Sequence, residues 1–496
     1  MLDRYVYNAK ELVVTTTPSR CHLSYFAQYL MPVLFFALLL SNPVVANGTT
    51  KKNQMDIEPG TYQLSLWVIN IDSKEEFLAA GMTSLCLPGS IIKFFPGSYL
   101  MESIETRNIP LIGTRLYQTR TGQDNSCSDL YVSGEGNASL TVHDINKSIS
   151  RLELRNEIGN VIVDDHFFDG NTIGRQRKGP SYTPPGALGF DLNTVNITVI
   201  PTEAGKVPNV AVNPTNNAVQ IVNTAQTSAS NATTIEIKQI NDTTYKIMGF
   251  ISVDGSPVSK RFSLQDPALF AGGVLKSILE EKEIEVTGKV KRGTVPNDAE
   301  LLAEIPGPPL NEMLTKMNHH SLNVVADNLL LAIGAERFGP PGTREKGVMA
   351  IEGFLNSLNL PMNEIEIYDG SGLSDKNRIT TNFMTRFLIA ISKKPWFEDF
   401  KKTFPRPGYD GTVKNLSFKD ERFRIKSGRL EDVYALAGYG VDATGQDVAF
   451  TFIVNGTGAG VVPYMDQVGS EVLEYIANTT FIDSAVTPHF QSRLLH

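Results

Sequence analysis

Apolar and polar positions alternate along YQLSLWVINID (62–72), which predicts a strand near the start of the folded chain. A helix is predicted to begin near Ser90, just after the Pro88-Gly89 pair. Short β-type runs separated by Gly and Asn turns then fill 108–200, as in LYVSGEGNASLTV and RNEIGNVIVDDHFF. Residues 203–260 are polar, alternating and poor in charge; we read them as a small β domain, with a disordered linker as the competing reading. Strand text resumes in SPVSKRFSL and EIEVTGKVKRG. Helical periodicity returns in PLNEMLTKMNHHSLNVVADNLLLAIG, with apolar residues at 314, 317, 322, 325, 329 and 330. Two strand candidates, VYALAGYGV and VAFTFIVNG, close the pattern. An α/β region is thus split by a long, mostly β insertion.

The run LMPVLFFALLL (30–40) is too short to span a bilayer and fits the core of a signal peptide. Arg20 and His22 supply a positive leading region, and small residues place cleavage after Ala46. We expect export to the periplasm, with retention of the run as an anchor, and so peripheral membrane association, as the alternative. Net charge of −8 argues against nucleic acid as a partner. Three cysteines, at 21, 86 and 127, are too few for a disulfide scaffold, and no metal-ligand spacing is present. Whether Cys86 and Cys127 pair is left open. His319 and His320, being adjacent on a helix, point in different directions and read as surface residues.

Three short stretches carry the chemistry: Ser90-x-x-Lys93, Ser321-Leu322-Asn323 and Lys426-Ser427-Gly428. On a helix, i and i+3 share a face, so Lys93 stands beside the Ser90 hydroxyl. An ammonium among Ile91, Ile92, Phe94 and Phe95 is costly to desolvate; burial lowers its pKa, and the neutral amine can deprotonate the serine. Ser321 can relay a proton to a leaving nitrogen, and Asn323 can orient a substrate amide. Lys426 and Ser427 suit a substrate carboxylate, and the strand beyond Gly428 can align an extended peptide. The Ser90 amide N–H supplies half of an oxyanion hole. S-x-x-K, S-D-N and K-T-G form the motif set of penicillin-binding proteins and class A β-lactamases, and here two of the three are variants.

The long interval between the first and second motifs does not suit a compact β-lactamase. The order and context resemble the D-alanyl-D-alanine carboxypeptidase/endopeptidase family, the class C low-molecular-mass penicillin-binding proteins of the penicillin-binding protein 4 type. The resemblance covers nearly all of 60–480, through LPGSIIK, GEGNASL, VIVDDHFFD, VTGKVKRG, PGPPLNEMLTKMNHHSLNVVADNLLLAIG, YDGSGLSDKNRIT, GYDGTV and RIKSGRLEDVYALAGYG. It implies an α/β (α+β) transpeptidase-like domain, with a helix-flanked antiparallel sheet, split by β-rich inserted domains. We divide the chain into a leader (1–46), the transpeptidase-like domain (47–107 and 306–496), an inserted domain (108–202 and 261–305) and a small inserted β domain (203–260).

The resemblance also implies Ser90 as acylated nucleophile, Lys93 as its base, Ser321 and Asn323 as second motif, and Lys426, Ser427 and Gly428 as third. Asp164 matches the first aspartate of the family's D-x-x-x-F pattern and is expected near a diaminopimelate amine, with a plain turn aspartate as the alternative. The implied partners are peptidoglycan stem peptides and β-lactams; no cofactor and no metal ion is implied. Gly89 stands where alanine is usual and is expected to loosen the start of the helix. Leu322 replaces the usual aspartate, and Ser427 a threonine. Glu352-Gly-Phe-Leu-Asn356 spells the E-x-x-L-N of class A β-lactamases, and we read Glu352 as a solvated helix residue. A β-lactamase and a catalytically silent cell-wall binding protein are the competing functions.

Overall fold

The computed structural model describes residues 62–105, 112–119, 128–154, 157–170, 182–215, 219–241, 243–456 and 461–479. The leader read over 1–46 and Cys127 lie outside them; Cys86 is a buried free thiol.

The strand predicted near residue 62 forms, as Tyr62–Asn70, and pairs antiparallel along its length with Asp447–Gly456. The first and last described strands therefore meet in one five-stranded sheet, ordered Glu76–Ala80, Tyr62–Asn70, Asp447–Gly456, Val433–Val441, Arg424–Leu430. All four pairings are antiparallel. Val433–Val441 is buried at every position but the last, so its continuous apolar run reflects cover on both faces. Tyr434 and Leu436 meet the Val461–Asn478 helix around Gly469. Ala435, Ala437 and Tyr439 face the other way, into a core with Phe95, Leu329, Phe383 and Phe387. This is a helix-flanked α/β transpeptidase-like fold.

The intervening chain is β-rich. Its larger sheet is mixed and ordered Val290–Arg292, Val161–Asp164, Leu130–Gly134, Gly113–Gln118, Glu300–Pro306. The Pro267–Glu281 helix packs on it at Gly272, where a Cβ would fall 2.6 Å from the Val163 and Val290 side chains. The polar segment after 203 forms strands rather than a linker. Thr194–Ile200 lies between Val258–Ser263 and Asn209–Asn213 in one sheet, so the pairing begins before 203 and ends after 260. A further three-stranded sheet is ordered Glu236–Gln239, Thr244–Met248, Gln220–Asn223.

One expectation changes. The helical text of 309–334 is two helices, Leu310–His320 and Asn323–Phe338, separated by Ser321 in the left-handed region (φ 52°, ψ 42°). The apolar period runs across the break because Leu322 itself packs on the core. A left-handed residue unwinds one helix and re-aims the next, which periodicity alone does not register.

Candidate active site

Gly89–Lys93 is a single turn of 3₁₀-helix that runs directly into the Phe94–Glu105 α-helix. Gly89 has φ +54°, a conformation in which glycine carries no steric penalty, so it suits the turn instead of loosening it. The turn abuts the edge strand Arg424–Leu430: a Cβ on Gly428 would fall 3.0 Å from the Ser90 nitrogen and 2.7 Å from the Pro88 oxygen. Only glycine admits that approach.

The 3₁₀ turn puts Lys93 Nζ 2.7 Å from Ser90 Oγ. The Asn323–Phe338 helix brings Asn323 Oδ1 to 2.8 Å from the same nitrogen, and the Ser371 carbonyl lies at 2.6 Å. The Ser90 hydroxyl is also 3.3 Å from that carbonyl. Lys93 is fully buried, and Ser90 is 9% exposed. Burial brings the Lys93 pKa down to about 7, although Asp327 and Asp369 favour its charged form. A substantial fraction is then free amine near neutral pH.

Ser321, turned by its left-handed backbone, reaches Lys426 Nζ at 3.0 Å; Lys426 also donates to the Ser427 carbonyl at 2.7 Å. Lys426 is wholly buried, and burial, reinforced by Lys93 and Arg429, holds its pKa well below the usual range. An arriving carboxylate would stabilise its ammonium form. The Ser427 hydroxyl pairs with Thr412 Oγ1 at 2.7 Å. Seven of the eight residues singled out in the sequence, Ser90, Lys93, Ser321, Asn323, Lys426, Ser427 and Gly428, are thus linked by these contacts.

Asp164 ends the Val161–Asp164 strand elsewhere in the fold sequence. Its Oδ1 accepts from the His166 N–H at 3.1 Å and faces His166 Nδ1 at 3.0 Å, and Oδ2 accepts from the Val295 N–H at 2.8 Å. Its neighbour Asp165 pairs with Arg292. Glu352 stands on the exposed side of the Arg344–Ser357 helix, opposite Ile351 and Leu355.

Several participants carried no assignment from sequence. The Ser371 carbonyl belongs to DGSGLS and Thr412 to GYDGTV, stretches that marked the family resemblance without indicating a role. Arg429 is another. Ile425 uses its N–H on Pro405, away from the neighbouring strand, and alternate residues share a side, so the Arg429 N–H faces the same edge, toward Ser90. A backbone donor has no side-chain signature.

Residues 81–473 match the D-Ala-D-Ala carboxypeptidase 3 (S13) family. The chain belongs to that family. It is accordingly a serine-type peptidase, a hydrolase of the penicillin-binding class. The chain is 25% identical over 484 residues to the D-alanyl-D-alanine carboxypeptidase of Actinomadura sp. (strain R39), covering 90% of this chain and 89% of the relative. It is 26% identical over 355 residues to the D-alanyl-D-alanine carboxypeptidase DacB of Haemophilus influenzae, covering 68% and 74%. The crystal structure of penicillin-binding protein 4 from Haemophilus influenzae superposes with TM-score 0.70 at 22% identity, covering 84% of this chain and 97% of that one, which establishes the shared fold. A second structure of that protein holds a novel β-lactam, at TM-score 0.67 and 21% identity over 85% and 98%.

Proposed function

We propose that this peptidase is exported to the periplasm and cuts the terminal D-Ala-D-Ala bond, and D-alanyl cross-links, of peptidoglycan stem peptides through an acyl-enzyme on Ser90. The observation that carries this reading is the fully buried Lys93 amine held within 2.6–2.8 Å of Ser90 Oγ, Asn323 Oδ1 and the Ser371 carbonyl. Lys93 takes the Ser90 proton as Oγ attacks the carbonyl carbon of the penultimate D-alanine. The developing oxyanion is met by the N–H groups of Ser90 and Arg429. As the tetrahedral intermediate collapses, the departing amine takes a proton relayed through Ser321. Lys426 and Ser427 hold the terminal carboxylate, Thr412 fixing the serine hydroxyl. Water then attacks the ester, with Lys93 again as base, releasing the shortened peptide.

A β-lactam enters the same cycle, consistent with the complex formed by the Haemophilus influenzae protein. Asp164 is assigned to a free side-chain amine of the stem peptide: three N–H contacts leave its carboxylate further acceptor capacity. The division into inserted and transpeptidase-like domains, and peripheral contact with the membrane surface, belong to the same proposal.

The test is intact mass over several hours with excess benzylpenicillin. A persistent single adduct, absent from Ser90→Ala, supports the reading. Return to unmodified mass with the drug consumed means a β-lactamase, and no adduct at all means a silent scaffold.

A further inference from the structure

Two carboxyl groups lie behind Lys93. Asp327 comes from the Asn323–Phe338 helix and Asp369 from the turn after Tyr368, and they are 1% and 2% exposed. A buried carboxylate is costly unless donors fill its lone pairs, and here one turn supplies the donors. Asp327 Oδ1 accepts the N–H groups of Gly370 (3.0 Å) and Ser371 (2.9 Å). Asp369 Oδ1 accepts from the Gly372 N–H (2.7 Å) and Asn377 Nδ2 (2.8 Å), and its Oδ2 from the Ser374 N–H (2.6 Å). Asn377 Oδ1 in turn accepts the Tyr368 N–H at 2.7 Å. What this bound turn presents to the site is the Ser371 carbonyl, 2.6 Å from Lys93 Nζ.

The number of donors gives that carbonyl its importance. A neutral amine has two N–H bonds and one lone pair. Asn323 Oδ1 and the Ser371 carbonyl are two pure acceptors, so both N–H bonds are taken and the lone pair is left for the third neighbour, the Ser90 hydroxyl. With the carbonyl displaced, an N–H can rotate onto Ser90 and the lone pair away from it.

We propose that Asp327 and Asp369 are positioning residues for acylation: by holding the 369–374 turn they aim the Ser371 carbonyl at Lys93 and so direct its lone pair onto Ser90. The proposal rests on the roles given above to Ser90 and Lys93. Charge adds a second handle. The ionisable groups facing Lys93 are Asp327 from its helix, Asp369 from the turn and Lys426 from the edge strand. Both carboxylates favour the ammonium form, against burial, and burial lifts Asp327 well above the carboxylate range.

The experiment is the second-order rate of benzylpenicillin acylation, followed by intact mass across neutral pH and normalised to the folded fraction. Wild type, Asp369→Asn and Asp327→Ala are compared. Asp369→Asn sets an amide N–H₂ against a backbone or side-chain donor, and acylation is expected to fall by ~10-fold to ~10²-fold, the scale of an ångström-sized misplacement. Asp369→Asn also removes a charge that supports the Lys93 ammonium, so the acidic limb of its profile moves to lower pH, while Asp327→Ala removes the acceptor of the Gly370 and Ser371 N–H groups and is expected to lose rate on the same scale. Wild-type rates and an unchanged midpoint in both folded variants overturn the proposal, as does a rate loss that merely tracks the unfolded fraction. If Asp369→Asn does not fold, the acylation rate of folded Asp327→Ala decides. No adduct on the wild type overturns the Ser90 reading and this one with it; an ordinary wild-type adduct with indifferent variants overturns this one alone.

Discussion

Lys93 shows how one residue's environment sets its chemistry. An ammonium of ordinary pKa has no lone pair to offer a serine at neutral pH. Complete burial brings the group to about 7, and the acylation rate should therefore rise as pH rises through about 7, as the amine loses its proton. A flat benzylpenicillin acylation profile between weakly acid and weakly alkaline pH would remove Lys93 as the base. Asp164 is a second residue-scale case, because its contacts hold its own turn to His166 and tie it to the Val295 N–H. Asp164→Asn should lower kcat/KM by ~10-fold for a stem peptide bearing a free side-chain amine, a charge-assisted contact of about 1.5 kcal/mol. A peptide without the amine should be unaffected. Equal effects on both substrates would leave only the turn role.

Among the elements, the break between Leu310–His320 and Asn323–Phe338 matters most. Ser321 adopts a left-handed conformation that costs a non-glycine residue of order 1 kcal/mol, and in return its hydroxyl reaches Lys426 at 3.0 Å. Ser321→Gly should therefore raise stability to urea by up to ~1 kcal/mol while lowering peptide turnover by ~10²-fold, the usual scale of a lost proton relay. Loss of both stability and turnover would mean the hydroxyl is structural. The second helix also ties the insertion to the site. Asn328 Nδ2 donates to the carbonyls of Gly136 (2.8 Å) and Gly186 (3.1 Å), and its Oδ1 accepts the Gly186 N–H at 3.0 Å. Asn328→Ala leaves buried backbone groups unpaired and should cost about 2–3 kcal/mol of stability, measured by urea unfolding. Acylation per folded molecule should remain close to wild type, since Asn328 touches no reacting atom; a specific loss of acylation would place the insertion in the chemistry.

At the scale of the whole molecule, burial of Lys93 links folding to pH. Its folded pKa lies near 7 against 10.5 in the unfolded chain, so between those values the unfolded state binds more protons. This group's contribution thus destabilises the fold increasingly as pH falls from about 10 to 7. Relative to wild type, Lys93→Met should gain stability as pH is lowered over that window, read from urea midpoints, while losing acylation; a constant difference would show that Lys93 does not change its protonation on folding. The sequence by itself determined a great deal here. Strand alternation at 62–70 and the apolar text at 433–441 and 448–456 named three strands of the central sheet, and short motifs named Ser90, Lys93, Ser321, Asn323, Lys426, Ser427 and Gly428 because side-chain chemistry is local information. Tertiary structure alone decided what depends on backbone groups and on distant approach. The left-handed turn at Ser321, the Ser371 carbonyl against Lys93, the outward Arg429 N–H and the buried Asp327–Asp369 support have no period or spacing to announce them, since every residue carries the same amide and only the fold sets where it points.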